Sequence, residues 1–393
     1  LPDITVVTPA FAHDELIGFA ANRAHHADVG GPTPGSMPAD SKTLADEGLV
    51  IEPQRLDDDA IKRLAAQMRQ PAQRRADLRA QLAANRTGVT RLKELHKRMP
   101  LAEAMAATID YAERRTRAAL QSLEDGTREA TDVLEAAEGD LELRLKATVA
   151  GDELHLDFTG TAAQHEGNLN CPLAVTVSAC WFAVRVLTDP DIPPSSGAMR
   201  PVTITAPEGC LLNARPPAAV VAGNVETSSR IADLVLAAFG RALGQGTMNN
   251  LTLGNDDFTY YETLGGGQGA CEDADGPSGV HVAMSNTLNT PVEALELEFP
   301  LRVTTYAIRR GSGGDGRYRG GDGVIRELRA LADMYYSLLT ERRRHAPPGA
   351  NGGKPGEPGR NLLDGEVLPP KARGTLRTGQ RLRIETPGGG GYG

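Results

Sequence analysis

The sequence predicts an α+β fold, a β-rich mixed core carrying an inserted helical segment. Strand-like text at the start gives way to a helical block and then to short strands and turns, in blocks rather than in alternation. Gly (44) and Pro (26) are abundant among the 393 residues, which favours turns and ordered loops over a helical bundle. Aromatics reach only 4%, with a single Trp, so the core must come mainly from Ala, Val, Leu and Ile.

Residues 1–54 form the first unit, an N-terminal hairpin followed by a candidate metal-site loop. Ile4–Val7 is β-branched and reads as a strand, Leu16–Ala21 as its antiparallel partner, with His13-Asp14-Glu15 near the turn. The run from His25 to Asp40, HHADVGGPTPGSMPAD, is too rich in Gly and Pro for regular structure. The chain opens within strand text, without Met or a signal-peptide pattern, and reads as a fragment whose start is missing.

Residues 55–137 are the helical unit. Leu92, Leu95 and Met99 fall at i, i+3 and i+7, while Leu101, Met105 and Ile109 repeat every four. With Pro71 and Pro100 as breaks, about three helices are expected, exposed on one face.

Residues 138–393 are the mixed α/β and β-rich unit, with Gly-rich loops suited to a pocket. Leu141, Leu143 and Leu145 alternate, as do Leu154, Leu156 and Phe158, predicting a hairpin that turns at Gly151-Asp152. Residues 172–187 and 226–243 read as apolar helices, the second capped by Thr227 or Ser228. Val202–Ile204 lies between them as a short strand. Further strands are expected at Phe258–Glu262, Leu295–Thr304, Val324–Ala330 and Arg381–Glu385. The tail Gly388 to Gly393 is either flexible or closely packed, and no internal repeat is visible.

Charge and cysteine usage narrow the function classes. A net charge of −9, from 51 acidic and 42 basic residues, argues against a nucleic-acid partner. No apolar run reaches the roughly 18 residues of a membrane span, so no membrane partner is expected. Cys171, Cys180, Cys210 and Cys271 are scattered without a CxxC pair, which suits reduced thiols and a cytoplasmic location.

Four constellations can carry chemistry. Asp3, His25, His26 and Asp28 combine carboxylate and imidazole donors, the set a divalent metal takes, and hairpin pairing would bring Asp3 toward the two histidines. The bland alternative is a pair of solvated histidines. Gly311 to Gly316 matches GxGxxG literally, but strand-like VIRELRAL follows where a dinucleotide fingerprint needs a helix. No GxxxxGK[ST] occurs either, so no nucleotide site is expected on this chain. Asn224 and Glu226 open a helix and are the candidate catalytic residues, able to position a polar substrate; a cap with Arg230 in a salt bridge is the rival reading. The Gln245–Asn250, Gly265–Gly269 and Gly279–His281 loops can approach a ligand or simply turn within a β core. His281 reads as structural, and Arg342-Arg343-Arg344 as a solvated charge run or a contact for a carboxylate or an acidic partner face.

Several strings resemble the hydantoinase B/5-oxoprolinase family: LPDITVV, GFAANRAHHADVGGPTPGSMPAD, LDFTGT, GNLNCPLAVT, VVAGNVETSSRIADLV, GQGTMNNLTLG, YYETLGGGQGA and RIETPGGGGYG. The likeness runs from Leu1 to Gly393 and is weakest over 55–137. It implies an N-methylhydantoinase B-type subunit of an ATP-dependent cyclic amidohydrolase. A hydantoinase A-type partner would use ATP to activate a cyclic amide such as a hydantoin or 5-oxoproline. This subunit would then complete the ring opening with a divalent metal, Zn or Mn. The family's metal site matches Asp3 and His25; its histidine three positions before the aspartate would fall just before Leu1. His26 and Asp28 are adjacent candidates. Two alternatives stand beside this expectation: a subunit of an acetone or acetophenone carboxylase-like enzyme, and a non-catalytic scaffold for the ATPase partner.

Overall fold

Strands Asp3–Ala12 (β1) and Glu15–His25 (β2) pair antiparallel as a two-stranded ribbon, longer at both ends than the β-branched run predicts. Ile4 and Val6 alternate inward while Thr5 and Val7 face out. The hairpin turns on His13 and Asp14, both at positive φ (47° and 65°), a left-handed pair that matches the twist of the flanking strands. The computed structural model that shows this describes residues 2–393.

Three helices follow: Asp58–Ala65 (α1), Pro71–His96 (α2) and Leu101–Leu120 (α3). The Asp57 carboxylate caps α1 by accepting from the Ala60 amide at 2.9 Å. Pro71 occupies the first turn of α2, where a missing N–H costs nothing, and Pro100 marks its boundary with α3. Buried polar side chains fix α2 to the ribbon. Gln81 donates to the Ile4 carbonyl (2.8 Å) and Asn85 to that of Val6 (2.9 Å), acceptors an edge strand leaves open.

The helical unit is shorter than the 55–137 expected. Gly126–Glu135 is a strand (β3), because its Thr and Val positions pair in register with Asp140–Ala150 (β4) and this pairing outweighs the Ala/Glu content. Glu153–Asp157 (β5) completes the predicted hairpin. Val202–Thr205 (β6) then runs parallel to β5, which requires the crossover supplied by Leu173–Leu187 (α4). Ser228–Ala238 (α5) packs on α4 and β3, and this layer encloses the larger apolar core.

The remainder is a pair of sheets around a second core. Asn250–Gly254 (β7) and Thr259–Glu262 (β8) precede a short helix, Val292–Glu298 (α6), and then Leu301–Arg309 (β9), Gly323–Ala330 (β10) and Met334–Leu339 (β11). Arg360–Leu363 (β12), Glu366–Leu368 (β13), Lys371–Leu376 (β14) and Arg381–Glu385 (β15) close the chain. The sheet orders are β14-β11-β7-β8 and β13-β12-β15-β10-β9. The single strand expected at Leu295–Thr304 is split: Pro291 starts α6, and the strand begins only after Pro300.

GxGxxG is structural. It joins β9 to β10 with no helix after it, and its Gly314 amide donates to the Gly389 carbonyl of the tail, while the Gly389 amide donates to the Gly321 carbonyl, each at 2.9 Å. The tail is therefore closely packed. No helix among the described residues is long and apolar enough to cross a membrane.

Candidate active site

The ribbon's register sets Asp3 opposite His25, and their side chains meet, Oδ1 to Nδ1 at 3.0 Å. Both remain partly exposed, at 26% and 35%. Burial pushes the Asp3 carboxyl up, but the hydrogen bond and charge of His25 outweigh it and hold the group below its ordinary range. His26 and Asp28 do not join them. The His26 Nε2 bonds to Gln81 Oε1 at 2.9 Å, inside the ribbon–α2 interface. Asp28 accepts from the Gly30 (2.7 Å), Gly35 (2.9 Å) and Arg69 amides and pairs with the Arg69 guanidinium at 3.0 Å. It is a loop clamp rather than a metal donor. Gly30 within that loop needs its positive φ of 83°, and a β-carbon there would sit 2.7 Å from the Gln67 carbonyl.

Asp3 and His25 fit a divalent metal as two converging donors of the right chemistry. Among the described residues, no group of three or more His, Cys, Asp or Glu side chains forms a complete set.

Over His25 lies the Tyr261 ring, centroids 4.8 Å apart and tilted 41°. Its hydroxyl donates to Asn250 Oδ1 at 3.1 Å. Burial raises the phenol's pKa, and the charges of Glu226 and Asp3 add to the rise.

Glu226 is fully buried. It lies on a π-helical turn, Gly223–Thr227, continuous with α5, a distortion common at functional positions. Helical residues precede Ser228, so neither Thr227 nor Ser228 is the predicted cap; the Thr227 hydroxyl donates instead to the Leu169 carbonyl. Gly223 is required here because any β-carbon would collide with the Asn170 carbonyl. One Glu226 oxygen accepts from the Met248 amide at 3.2 Å; the other, Oε2, has no partner. Burial and the neighbouring Glu341 push its pKa up to about 8. Asn224 is half-buried on the same turn, its backbone amide donating to the Val220 carbonyl at 3.3 Å and its carbonyl accepting from the Ser228 hydroxyl. The Gly-rich loops approach Glu226 through Met248, whose carbonyl accepts from the Leu264 amide, and Gly266 bridges to Val280. His281 bonds to Ser285 at 2.7 Å, and burial lowers its pKa.

Of the Arg342-Arg343-Arg344 run, only Arg344 is exposed, paired with Asp140 at 2.8 Å. Arg342 is 3% exposed and pairs with Asp132 at 2.6 Å. Arg343 donates to Asn249 and Asn361, each at 2.9 Å. Glu135 accepts the backbone amides of Arg343, Arg344 and His345. Arg230, wholly buried, bridges Asp132 (3.1 Å) and Glu341 (3.2 Å), and Lys371 also pairs with Glu341. Burial raises the Asp132 carboxyl, but Arg230 and Arg342 overcome it and hold the group at about 2. This network borders Glu226 through Glu341 and was missed in sequence because its pairs join distant segments, Asp132 to Arg230 across 98 residues and Asp132 to Arg342 across 210. Arg230→Met is expected to cost about 3–5 kcal/mol by leaving Asp132 and Glu341 short of a cation. A denaturant midpoint unchanged from the parent would refute that.

Residues 1–393 match the Hydantoinase B/oxoprolinase family throughout. The chain is 40% identical to 5-oxoprolinase 1 of Arabidopsis thaliana over its whole length, spanning about a third (34%) of that relative. It is 32% identical to the B-type subunit of a putative D-/L-hydantoinase from a Pseudomonas species, covering all of this chain and 73% of that one. Among solved structures, the ATP-dependent caprolactamase from Pseudomonas jessenii superposes with a TM-score of 0.89 at 26% identity, over 100% of this chain and 74% of that one.

Proposed function

The chain belongs to the hydantoinase B/oxoprolinase family, and from that membership and the site's geometry we propose that it is the B-type subunit of an ATP-dependent cyclic amide hydrolase. Its substrate is a hydantoin or a 5-oxoproline-like lactam, activated at the carbonyl by a hydantoinase A-type partner. The observation that carries the reading is the pairing of the partly exposed Asp3 carboxylate with the His25 imidazole at 3.0 Å, in a chain that also buries the Glu226 carboxyl completely.

A divalent metal, Zn or Mn, held by Asp3 and His25 would supply a Lewis acid and a bound water of lowered pKa. The chain's own residues supply the rest. Tyr261 packs on His25 and fixes its ring, while Asn250 fixes the Tyr261 hydroxyl. Glu226 keeps its proton near neutral pH and gives it to the ring nitrogen that leaves as the amide opens. Arg343 and Lys371 oppose the rise in its pKa and keep it near the working range.

The sequence carries no phosphate-binding loop, so ATP turnover is expected to need a second polypeptide or a fused domain. The test combines the full protein, the partner, ATP and a panel of lactams, hydantoins and ketones, following phosphate release and ring opening. Substantial substrate-dependent ATPase by this subunit alone would overturn the division of labour. Carbon dioxide incorporation into a ketone, without lactam opening, would assign a carboxylase instead.

A further inference from the structure

Beside the Asp3–His25 pair, a cavity of about 550 Å³ opens between the end of β2 and the first turns of α2. Arg23, His25, His26, Gln73, Arg74 and Asp77 are among its lining residues. Arg74 is 1% exposed, and its guanidinium has one side-chain partner, Asp77, at 3.2 Å. Its Nε and Nη1 are buried without any partner. Unmet donors on a buried cation are costly, and native structures fill such positions. His26 is unmet too. Gln81 donates its amide hydrogens to Ile4 and Asn22, so its oxygen must accept from His26 Nε2. That leaves Nδ1 of His26 as a buried free acceptor.

The start of α2 adds a field of the same sign as Arg74. Gln70 provides no side-chain cap, and Pro71 opens the helix. The positive end of this 26-residue helix has no acidic residue in its first turn; Asp77, one turn on, pairs with Arg74 and lines the same cavity.

We infer that this cavity is an oxyanion subsite, in which Arg74 and the first turn of α2 receive a carboxylate or phosphate oxygen of the substrate. The Arg74 nitrogens donate to that oxyanion, and Nδ1 of His26 accepts from a neighbouring ligand hydroxyl or N–H. Because His25 lines the same cavity, the oxyanion would be held at the edge of the reaction centre. The source of the oxyanion rests on the cyclic-amide reading: a carboxylate on the lactam ring, or the phosphate introduced when ATP activates the carbonyl.

The test is direct binding without turnover, so its failure is separable from failure of the hydrolase reading. EDTA-treated full protein is titrated calorimetrically with inorganic phosphate, with 5-oxoproline and with 2-pyrrolidinone, which lacks the carboxylate. Saturable binding of phosphate or 5-oxoproline in the millimolar range or tighter is expected, with 2-pyrrolidinone weaker. Phosphate alone identifies the phosphoryl source; 5-oxoproline alone identifies the ring carboxylate. Arg74→Gln should weaken binding about tenfold or more, the loss of a charge-assisted hydrogen bond. Gln73→Glu, at an exposed position, should weaken it severalfold by placing a like charge at the cavity while melting as the parent does. The inference is overturned if neither oxyanion saturates, if 2-pyrrolidinone binds as well as 5-oxoproline and phosphate does not bind, or if both variants bind like the parent.

Discussion

Asp3→Ala or His25→Ala should reduce turnover by the complete enzyme to background while leaving the fold intact. The physical reason is that a catalytic metal site has few protein ligands, and removing a carboxylate or an imidazole leaves too few to hold the ion in place. The fold should survive because both side chains are partly exposed and pair mainly with each other. Neither removal opens a core cavity, so the stability change should stay within about 0.5 kcal/mol, as for other surface substitutions. Three measurements check this: turnover with the partner and ATP, bound metal by elemental analysis, and thermal melting. Metal content equal to the parent in both variants, or activity within severalfold, would show the assignment to be wrong. Asp28→Asn offers a contrast. Its carboxylate clamps three backbone amides and Arg69, so its loss should appear as a lower melting temperature.

How much of this was legible in sequence depends on the range of the interaction concerned. Local signals carried well. The alternation of Leu141 to Phe158 gave its hairpin, and Pro71 and Pro100 marked helix boundaries that the structure keeps. Pairing of Asp3 with His25 followed from strand register, which a hairpin fixes over short range. Long-range features did not carry. Gly126–Glu135 reads as helical because Ala and Glu favour helices, and only pairing with β4 decides otherwise. Arg342 and Arg343 look like a solvated run until Asp132 and Asn249, far away in sequence, are brought to them. Tyr261 sat in a recognisable string, but nothing local says that it alternates toward His25 while Glu262 turns toward Arg326. Asp28 misled for a related reason. In a Gly-rich loop a carboxylate close to two histidines suits metal binding and amide clamping equally, and only the backbone path chooses.

Glu226→Gln should cost about 10²- to 10⁴-fold in kcat, the usual worth of a positioned acid, while making the protein more stable in mild alkali. The two effects share one cause. In the folded chain burial and Glu341 push the Glu226 pKa up to about 8, whereas an unfolded glutamate titrates near about 4.3. Below roughly pH 4 both states carry the proton and the group contributes no pH dependence. As pH rises between the two values the unfolded chain has released its proton while the folded chain retains it, so stability falls with pH. Above about 8 the cost levels off, because the folded chain has now lost the proton as well. Glutamine keeps the shape of the protonated acid and cannot ionise. The variant should therefore lose this slope and exceed the parent at pH 8 by up to a few kcal/mol. It should lose a kinetic feature as well: parental kcat ought to decline as pH rises through about 8, when Glu226 gives up the proton it must donate. Melting curves and kcat profiles from pH 5 to 9, taken on both proteins, separate an acid from a merely buried side chain. A structural role alone would alter stability and leave the alkaline limb of the profile in place. If that limb persists in Glu226→Gln with kcat near the parent's, Glu226 is not the proton donor.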